Sequence, residues 1–307
     1  MNDFLILHHY DSSPYAEKVR LMLGLANASW SSMLSPVQPP RPNLDPLTGG
    51  YRRIPVAQVG ADIFCDTALI GPELATMLNC PALDPANVDA DAAALMEQAQ
   101  KKAFFAAIGA VPTPRLLGTM LGMFGPIGAV KFIKDRIDLV KGGTVRAPKG
   151  DKARAVLNSL LDNLESRLEK HAWVGGDAPS VADFATYHPL WLYAACNRRP
   201  IEAGAKVEAW YQRVGEIGHG HREEITQERA FAAARDADPR PLPESVSDTP
   251  APIGTTVEVA PSDYGRVPVT GMLAAVTEDR VILARDTDQF GLLHVHFPRD
   301  GYSVKPK

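Results

Sequence analysis

The chain has 307 residues, which is enough for two or three domains that each bury a core of their own. Its hydrophobic share of 45% and charged share of 22% are ordinary for a globular protein and exclude wholesale disorder. The formal net charge of -4 comes without a basic stripe, so nucleic acid is not an expected partner.

The N-terminus and the cysteines indicate a cellular compartment. The apolar run 4–7 lacks the basic flank and the length of a signal peptide. Cys65, Cys80 and Cys196 are an odd number of widely spaced cysteines without a Cys-x-x-Cys pair. A reducing cytoplasm is therefore the expected location, with Cys65 buried in a strand rather than reactive.

Residues 1–82 alternate strand and helix patterns. Short apolar runs predict buried strands, and an amphipathic segment that begins with Pro14 predicts the first helix. The predicted elements are a strand near Leu5, a helix over 14–26, a strand over 30–34, a hairpin of 54–59 and 63–65, and a helix from Thr67. This order predicts a compact α/β domain.

Residues 86–235 are predicted to be helical throughout and to form an all-α domain. The clearest helix is expected over 151–171, where leucines recur on one face. Another begins after Ser180, whose spacing from Asp183 is that of a capping box. We therefore expect Asp183 to cap this helix rather than to take part in catalysis.

The segment 116–133 is apolar and rich in glycine. Gly125 and Pro126 interrupt it and lysines charge its end, so it falls short of the ~20 apolar residues that a membrane span needs. No membrane contact is expected. A broken helical stretch that lines an apolar pocket with Met120 and Phe124 fits the pattern, and plain core packing is the alternative.

Proline-rich residues 236–253 have the composition of a linker. Beyond them, over 254–307, the hydrophobic period changes to two and short strands alternate with turns. This predicts a small β module, either separate or packed on the main body. His294 and His296 fall on one strand face as a metal pair would, but no third ligand is evident, so no metal is expected.

Three elements of the first domain carry candidate chemistry. Ser13 precedes a proline that suits the first helical position, so it is the predicted N-cap of a helix whose start favours an anion such as a thiolate. A cis peptide bond at Pro55 would leave the backbone of Ile54 free to pair with an extended ligand. Asp66 and Thr67 begin a second helix, where an anion and an amine could bind.

These motifs, in this order and spacing, resemble the thioredoxin-like domain of cytosolic glutathione transferases. Residues 13–20 are similar to the segment around the activating serine or cysteine of the serine- and cysteine-type classes, and Arg-Arg-Ile-Pro-Val at 52–56 to the cis-proline element. Asp-Thr-Ala-Leu-Ile at 66–70 resembles the Glu-Ser-x-Ala-Ile element. Ser-Val-Ala-Asp-Phe at 180–184 and Ala-Trp-Tyr at 209–211 extend the resemblance over about residues 1 to 235.

The resemblance implies the architecture of that family, with a thioredoxin-like first domain, an all-α second domain and an added C-terminal β module. It also implies that Ser13 donates a hydrogen bond to the sulfur of glutathione, with Ser12 as the alternative because helix starts are uncertain by one residue. Lowering a thiol pKa by ~2 units requires ~2.7 kcal/mol, which one hydroxyl bond and a helix end together can supply. Tyr10 ends the first strand near the place where other classes carry an activating tyrosine, but counting back from Arg20 puts His9 at that place.

The remaining roles implied by the resemblance concern the two ends of glutathione. Ile54, next to cis Pro55, would pair its backbone with the cysteinyl unit. Arg53 is the candidate for the glycyl carboxylate, Asp66 for the γ-glutamyl ammonium and Thr67 for the γ-glutamyl carboxylate. Because Asp66 replaces the usual, longer Glu, its contact with the amine is expected to be longer or mediated by water.

The hypothesis from the sequence is a glutathione transferase with glutathione as cosubstrate. Its thiolate would add to, or displace a group from, a small electrophile over an apolar pocket of Tyr15, Phe104, Phe105, Ile108, Met120 and Phe124. A non-enzymatic binding protein on the same scaffold is one alternative, and a glutathione-dependent isomerase or dehalogenase is another. The resemblance also implies a homodimer in which the first domain of one subunit contacts the helices of the other.

Overall fold

The structure is a computed structural model that describes residues 5–307. Most of the predicted elements are present in the predicted order. The strands are β1 (Leu5–His9), β2 (Ser29–Leu34), β3 (Val56–Val59), β4 (Asp62–Cys65), β5 (His221–Glu224), β6 (Thr256–Pro261), β7 (Val269–Val276), β8 (Arg280–Thr287), β9 (Gly291–Pro298) and β10 (Tyr302–Pro306).

The helices fall mainly between β4 and β6. They are α1 (Pro14–Leu25), α2 (Asp45–Thr48), α3 (Thr67–Met77), α4 (Ala90–Gln98), α5 (Phe104–Ala110), α6 (Thr113–Val140), α7 (Asp151–Leu168), α8 (Val181–Asn197), α9 (Ala205–Glu216) and α10 (Gln227–Arg235). A π-helical turn at Ala99–Ala103 joins α4 to α5, so the two form one irregular helix.

The first domain is α/β and thioredoxin-like, as predicted. β1 runs parallel to β2 and antiparallel to β3, and β3 forms a hairpin with β4. All five residues of β1 are buried, which accounts for the apolar run with which the strand begins. This sheet holds the starts of α1 and α3 next to the beginning of β3.

The second domain is helical and centres on α8, most of whose residues are buried. Ser180 and Asp183 form the predicted capping box at its start. Asp183 also accepts hydrogen bonds from the backbone of Val174 (2.8 Å) and from the indole of Trp210 (2.8 Å), so its role is structural.

One strand interrupts the region that was predicted to be wholly helical. β5 pairs in parallel with β2, with Ser29 opposite His221. Its sequence, His-Arg-Glu-Glu, has no strand character. The strand forms because its backbone pairs with the open edge of β2, and local propensity does not decide it.

The glycine-rich segment forms a longer helix than expected. α6 spans 28 residues and has a kink at Gly125, where the backbone is not helical (φ 65°, ψ 176°). Among residues 5–307, this is the one helix whose length and composition would suffice to cross a membrane, which corrects the expectation that the segment is too short. The expectation of a break in the helix is confirmed. Much of its apolar surface is exposed, with Ile127 at 74% and Val130 at 69%.

The C-terminal strands continue the sheet of the first domain. β9 pairs in parallel with β4, with Asp62 opposite His294 and Phe64 opposite His296. Within residues 5–307 the result is one ten-stranded sheet in the order β10-β6-β7-β8-β9-β4-β3-β1-β2-β5. Of the two arrangements considered for the β module, the structure therefore has the one in which it packs on the main body.

Polar contacts fix this junction between β4, α3 and the C-terminal strands. Asp62 accepts hydrogen bonds from the imidazole of His296 (2.8 Å) and from the backbone of Arg240 (2.9 Å). Glu73 of α3 pairs with the guanidinium groups of Arg240 and Arg280. The two histidines that suggested a metal pair are thus placed beside the carboxylate of Asp62.

Candidate functional site

The start of α1 is capped by a side chain and keeps hydrogen-bond donors that are unpaired. Ser13 has an extended backbone, and its Oγ accepts a hydrogen bond from the backbone N–H of Ala16 at 3.2 Å. Within residues 5–307, the hydroxyl proton of Ser13 and the backbone N–H of Tyr15 have no acceptor. The helix start therefore offers two donors to an anion.

The peptide bond between Ile54 and Pro55 is cis, as predicted. Ile54 is buried, yet its backbone N–H and C=O form no hydrogen bond with any other described residue. Backbone groups in such a place need partners. An extended peptide that runs beside Ile54 would supply them.

A second helix start lies close by, at Thr67 of α3. Asp66 is its N-cap, with φ of 79°, and its Oδ1 accepts from the backbone N–H of Ala68 at 3.1 Å. The backbone N–H and the hydroxyl of Thr67 have no partner in the part of the chain that the structure describes. Together with the helix dipole, these donors suit a carboxylate.

These elements meet in a cavity of about 460 Å³. The predicted site residues that line it are Tyr15, Arg53, Ile54, Pro55, Asp66, Thr67 and Phe105. The cysteinyl, ammonium and carboxylate positions implied by the resemblance therefore open into one space. A cavity of this size is typical of a small-molecule site.

Other predicted residues do not line this cavity. Ser13 is only 1% exposed, and Phe104 packs behind the ring of Tyr15 with centroids 4.5 Å apart. Ile108 is 40% exposed, away from the cavity, and Phe124 stacks on Phe132. The remaining residues outside the lining are Ser12 and Met120. The exposure of α6 explains why its apolar residues do not form the pocket wall that its composition suggested.

Arg53 already has partners. Its guanidinium donates to Asp66 (3.1 Å), to the carboxylate of Asp263, and to the carbonyl of Tyr264 (2.7 Å). It also lies over the ring of Tyr264, with Cζ 4.0 Å from the ring centroid. A ligand carboxylate at Arg53 would therefore bind beside Asp263 or displace it.

Several lining residues were missed by the sequence analysis. Most of them come from the C-terminal strands and their loops: Asp263, Tyr264, Pro298, Asp300, Gly301 and Tyr302. The hydroxyl of Tyr302 donates to Asp66 at 2.9 Å and lies 2.6 Å from that of Tyr51. No motif in the C-terminal segment signals these contacts, because they depend on how distant parts of the sheet pair.

A buried lysine lies behind the cavity. Lys18 of α1 donates to Oε1 of Gln100 at 3.0 Å, and Gln100 lines the cavity. Burial lowers the pKa of Lys18 to about 8, against the opposing effect of Asp66. The imidazole of His188, whose pKa burial lowers to about 3, packs on Tyr15. The sequence analysis had not placed a lysine near this site.

His9, which stands at the place where other classes carry an activating tyrosine, lies in the core of the sheet. His9 is fully buried between Ser32 (2.9 Å) and Arg20 (3.1 Å), and burial together with Arg20 lowers its pKa to about 3. Neither His9 nor Tyr10 lines the cavity. Cys65 is fully buried, as expected, and burial raises its pKa.

Comparisons with known proteins agree with this fold. The family model for the N-terminal domain of glutathione S-transferases matches residues 7–75, and the model for the C-terminal domain matches residues 124–217. A search of curated proteins finds no match to this chain.

Solved structures give a full-length relative. A GST-like protein from Pseudomonas syringae is 32% identical, with 99% of this chain and all of that chain covered and a TM-score of 0.74. A delta-class glutathione transferase of Nilaparvata lugens (16% identity, 71% of this chain and 91% of that chain, TM-score 0.45) is more distant. So is a theta-class enzyme of Xanthomonas axonopodis pv. citri with glutathione bound (18% identity, 70% of this chain and 96% of that chain, TM-score 0.41). The two family models and the relative that spans the whole chain show the family, and the two helix starts and the cis peptide bond before Pro55 fit it. This protein therefore belongs to the glutathione S-transferase family.

Proposed function

We propose that this protein binds glutathione and activates its thiol for attack on a small electrophile. One observation carries the proposal: the unpaired backbone of Ile54 and the unpaired donors of Thr67 open into a single cavity. A tripeptide with a carboxylate at each end has the groups that both positions require.

The proposed binding mode matches each polar group of glutathione to a residue that lines the cavity. The γ-glutamyl carboxylate accepts from the backbone N–H and hydroxyl of Thr67, and the γ-glutamyl ammonium donates to Asp66. The cysteinyl unit pairs with the backbone of Ile54. The guanidinium of Arg53 is the proposed partner of the glycyl carboxylate, which would bind while Arg53 keeps its contact with Asp263.

Activation of the thiol is assigned to the start of α1. The hydroxyl of Ser13 and the backbone N–H of Tyr15 would donate to the sulfur, and the helix dipole would favour its anion. A hydrogen bond to a charged acceptor contributes about 1.5–3 kcal/mol and the helix end up to about 2 kcal/mol. Their sum reaches the ~2.7 kcal/mol that lowers a thiol pKa by two units.

The electrophile would lie on the side of the cavity formed by Tyr15 and Phe105, whose rings provide an apolar wall. The thiolate would add to its carbon or displace a leaving group. Isomerase and dehalogenase chemistry would use the same thiolate and differ only in the substrate.

A non-enzymatic binding role is the second candidate. The low exposure of Ser13 and the C-terminal residues over the cavity favour it, because both restrict access to the thiol position. In that case glutathione would bind without reacting.

A cytoplasmic homodimer is also part of the proposal. Free Cys65, Cys80 and Cys196 support a reducing compartment. β9 already covers the edge of β4, so a second copy would contact other surfaces, and exposed apolar residues of α6 such as Ile127 are available to it. Sedimentation at several protein concentrations tests this, and a constant monomer contradicts it.

Titration calorimetry with glutathione, followed by turnover of a panel of electrophiles, tests the main proposal. We expect binding in the millimolar range or tighter and conjugate formation. Absence of heat at millimolar glutathione contradicts the proposal. Binding without turnover of any electrophile supports the second candidate instead.

A further inference from the structure

The C-terminal module places a carboxylate on the guanidinium of Arg53. Asp263 lies in the loop after β6, and its Oδ1 accepts from Nη2 of Arg53 and from the backbone N–H of Tyr264 (2.8 Å). The carbonyl of Asp263 also accepts from the backbone N–H of Thr144 (2.8 Å). Because backbone contacts hold the loop at this residue, the carboxylate of Asp263 is fixed on Arg53.

This arrangement occupies the donors of Arg53 that could hold a carboxylate at two points. Nη1 donates to Asp66 (3.1 Å), and the two N–H groups of Nη2 donate to Asp263 and to the carbonyl of Tyr264 (2.7 Å). Both faces through which a guanidinium binds a carboxylate with two parallel hydrogen bonds include Nη2. While these partners remain, a ligand carboxylate can form only a single hydrogen bond with Arg53.

The charge of Arg53 is compensated as well. Two carboxylates, those of Asp66 and Asp263, pair with this one guanidinium. Lys101 also lines the cavity, but its side chain is largely exposed, so that solvent and salt screen its charge. The end of the cavity at Arg53 therefore attracts a free carboxylate only weakly.

An amide in place of the glycyl carboxylate suits such a position. Its carbonyl oxygen accepts one hydrogen bond from a guanidinium N–H, as a carboxylate oxygen would. Because the amide is neutral, the carboxylate of Asp263 does not repel it. Masking the glycyl carboxylate therefore removes little of the binding free energy at this site.

We propose that this protein takes glutathione derivatives whose glycyl carboxylate is masked as an amide as readily as glutathione itself, and that Asp263 is the residue that determines this specificity. The inference rests on the proposed function and names the ligand class of the same site. It concerns the glycyl end alone, because the groups assigned to Thr67 and Ile54 are the same in both ligands.

The test measures the dissociation constants of glutathione and of glutathione amide by titration calorimetry with the full-length protein. The two ligands differ in one group, which is a carboxylate in the first and a neutral primary amide in the second. For the parent protein we expect the two constants to agree within about threefold. An arginine with both Nη groups free would favour glutathione by roughly tenfold or more.

Asp263→Asn removes the negative charge and keeps a side-chain carbonyl that can accept from the backbone N–H of Tyr264. A free carboxylate then meets a less compensated guanidinium, so we expect glutathione to bind roughly 5- to 20-fold more tightly, a range reduced for the partial exposure of Asp263. The affinity for glutathione amide should stay within about twofold of the parent value. Melting temperatures close to that of the parent would show that the variant folds.

Asp300→Asn is the matched control. It removes an equal charge from the same module and the same cavity lining, but within residues 5–307 Asp300 forms no ion pair with Arg53. We expect both dissociation constants to stay within about twofold of the parent values at about 0.15 M salt. An equal gain in this variant would assign the effect to the net charge of the cavity and overturn the role of Asp263.

Two further results overturn the inference while the proposed function stands. One is a parent protein that binds glutathione amide more than about threefold more weakly than glutathione. The other is an Asp263→Asn variant in which the affinities for the two ligands change equally or not at all. If the parent binds neither ligand, the proposed function fails and the inference fails with it.

Discussion

The hydroxyl of Tyr302 donates a 2.9 Å hydrogen bond to the carboxylate of Asp66, a residue 236 positions earlier in the chain. The same hydroxyl lies 2.6 Å from that of the buried Tyr51. Asp66 is the N-cap of α3 and a proposed ligand of glutathione. The last strand of the chain thus contacts the glutathione-binding element of the first domain directly.

We expect Tyr302→Phe to lower the free energy of unfolding by about 1–3 kcal/mol, because it leaves the buried hydroxyl of Tyr51 without its partner and removes one of the two hydrogen bonds to Oδ2 of Asp66. Urea denaturation at pH 7 measures this. Tyr193→Phe is the control, since the hydroxyl of Tyr193 has only a 3.4 Å contact with Asn197. An equal effect in both variants contradicts the proposed contact network.

Thr67→Ala should weaken glutathione binding by roughly tenfold. The change removes a hydroxyl bond to the γ-glutamyl carboxylate but leaves the backbone N–H, so a loss of about 1–1.5 kcal/mol is expected. Calorimetry measures the dissociation constant. Thr76→Ala is the control on the same helix, where the hydroxyl donates to the carbonyl of Pro72. Unaltered affinity in Thr67→Ala places the carboxylate elsewhere.

Ser13→Ala should raise the pKa of bound glutathione by about 1–2 units and lower kcat/KM at pH 6.5 by roughly 10- to 100-fold. Ultraviolet absorbance of the thiolate against pH, with glutathione bound, measures the first effect. Because the same change removes an N-cap, it should also cost about 1 kcal/mol of stability.

Ser12→Ala is the paired variant for this measurement. We expect the pKa of the bound thiol to stay at the parent value, since Ser13 and not Ser12 caps α1. The opposite pattern, with the shift in Ser12→Ala, would assign the thiol to the neighbouring serine.

Acid should destabilise the protein partly through His8. Burial lowers its pKa to about 4, although its hydrogen bond with Gln58 opposes this. The unfolded chain binds a proton near pH 6.5 while the folded one does not, so stability is lost as the pH falls from about 6.5 towards 4. In that window one such histidine contributes a slope of up to about 1.4 kcal/mol per pH unit.

We therefore expect His8→Gln to flatten the dependence of unfolding free energy on pH by about this slope. Urea denaturation at pH 7, 6 and 5 gives the comparison with the parent. Parallel curves for the two proteins would mean that His8 takes up a proton in the folded state as readily as in the unfolded one.

Local chemistry made much of the first two domains predictable. The caps at Ser13 and at Ser180 depend on side chains within three residues, and both are present as predicted. The apolar run of β1 and the cis bond before Pro55 are equally local features. For that reason the sequence motifs and their spacing sufficed to indicate the family.

The features that the sequence did not predict depend on contacts between distant parts of the chain. β5 has no strand character in its sequence and forms because β2 offers an open edge. The apolar residues Met120 and Phe124 suggested a pocket wall, but neither lines the cavity, and much of the apolar surface of their helix is exposed. Hydrophobic periodicity shows that one face of a helix is apolar, but it does not show which part of the protein covers that face.

The sequence by itself determined the helix starts, the proline edge and the strand patterns, because each depends on neighbours a few residues away. Only the tertiary structure decided that β9 joins β4 and that Tyr264 and Tyr302 complete the cavity. Strand pairing uses backbone groups that every residue carries, so the partner of an open edge is chosen by the packing of the whole sheet.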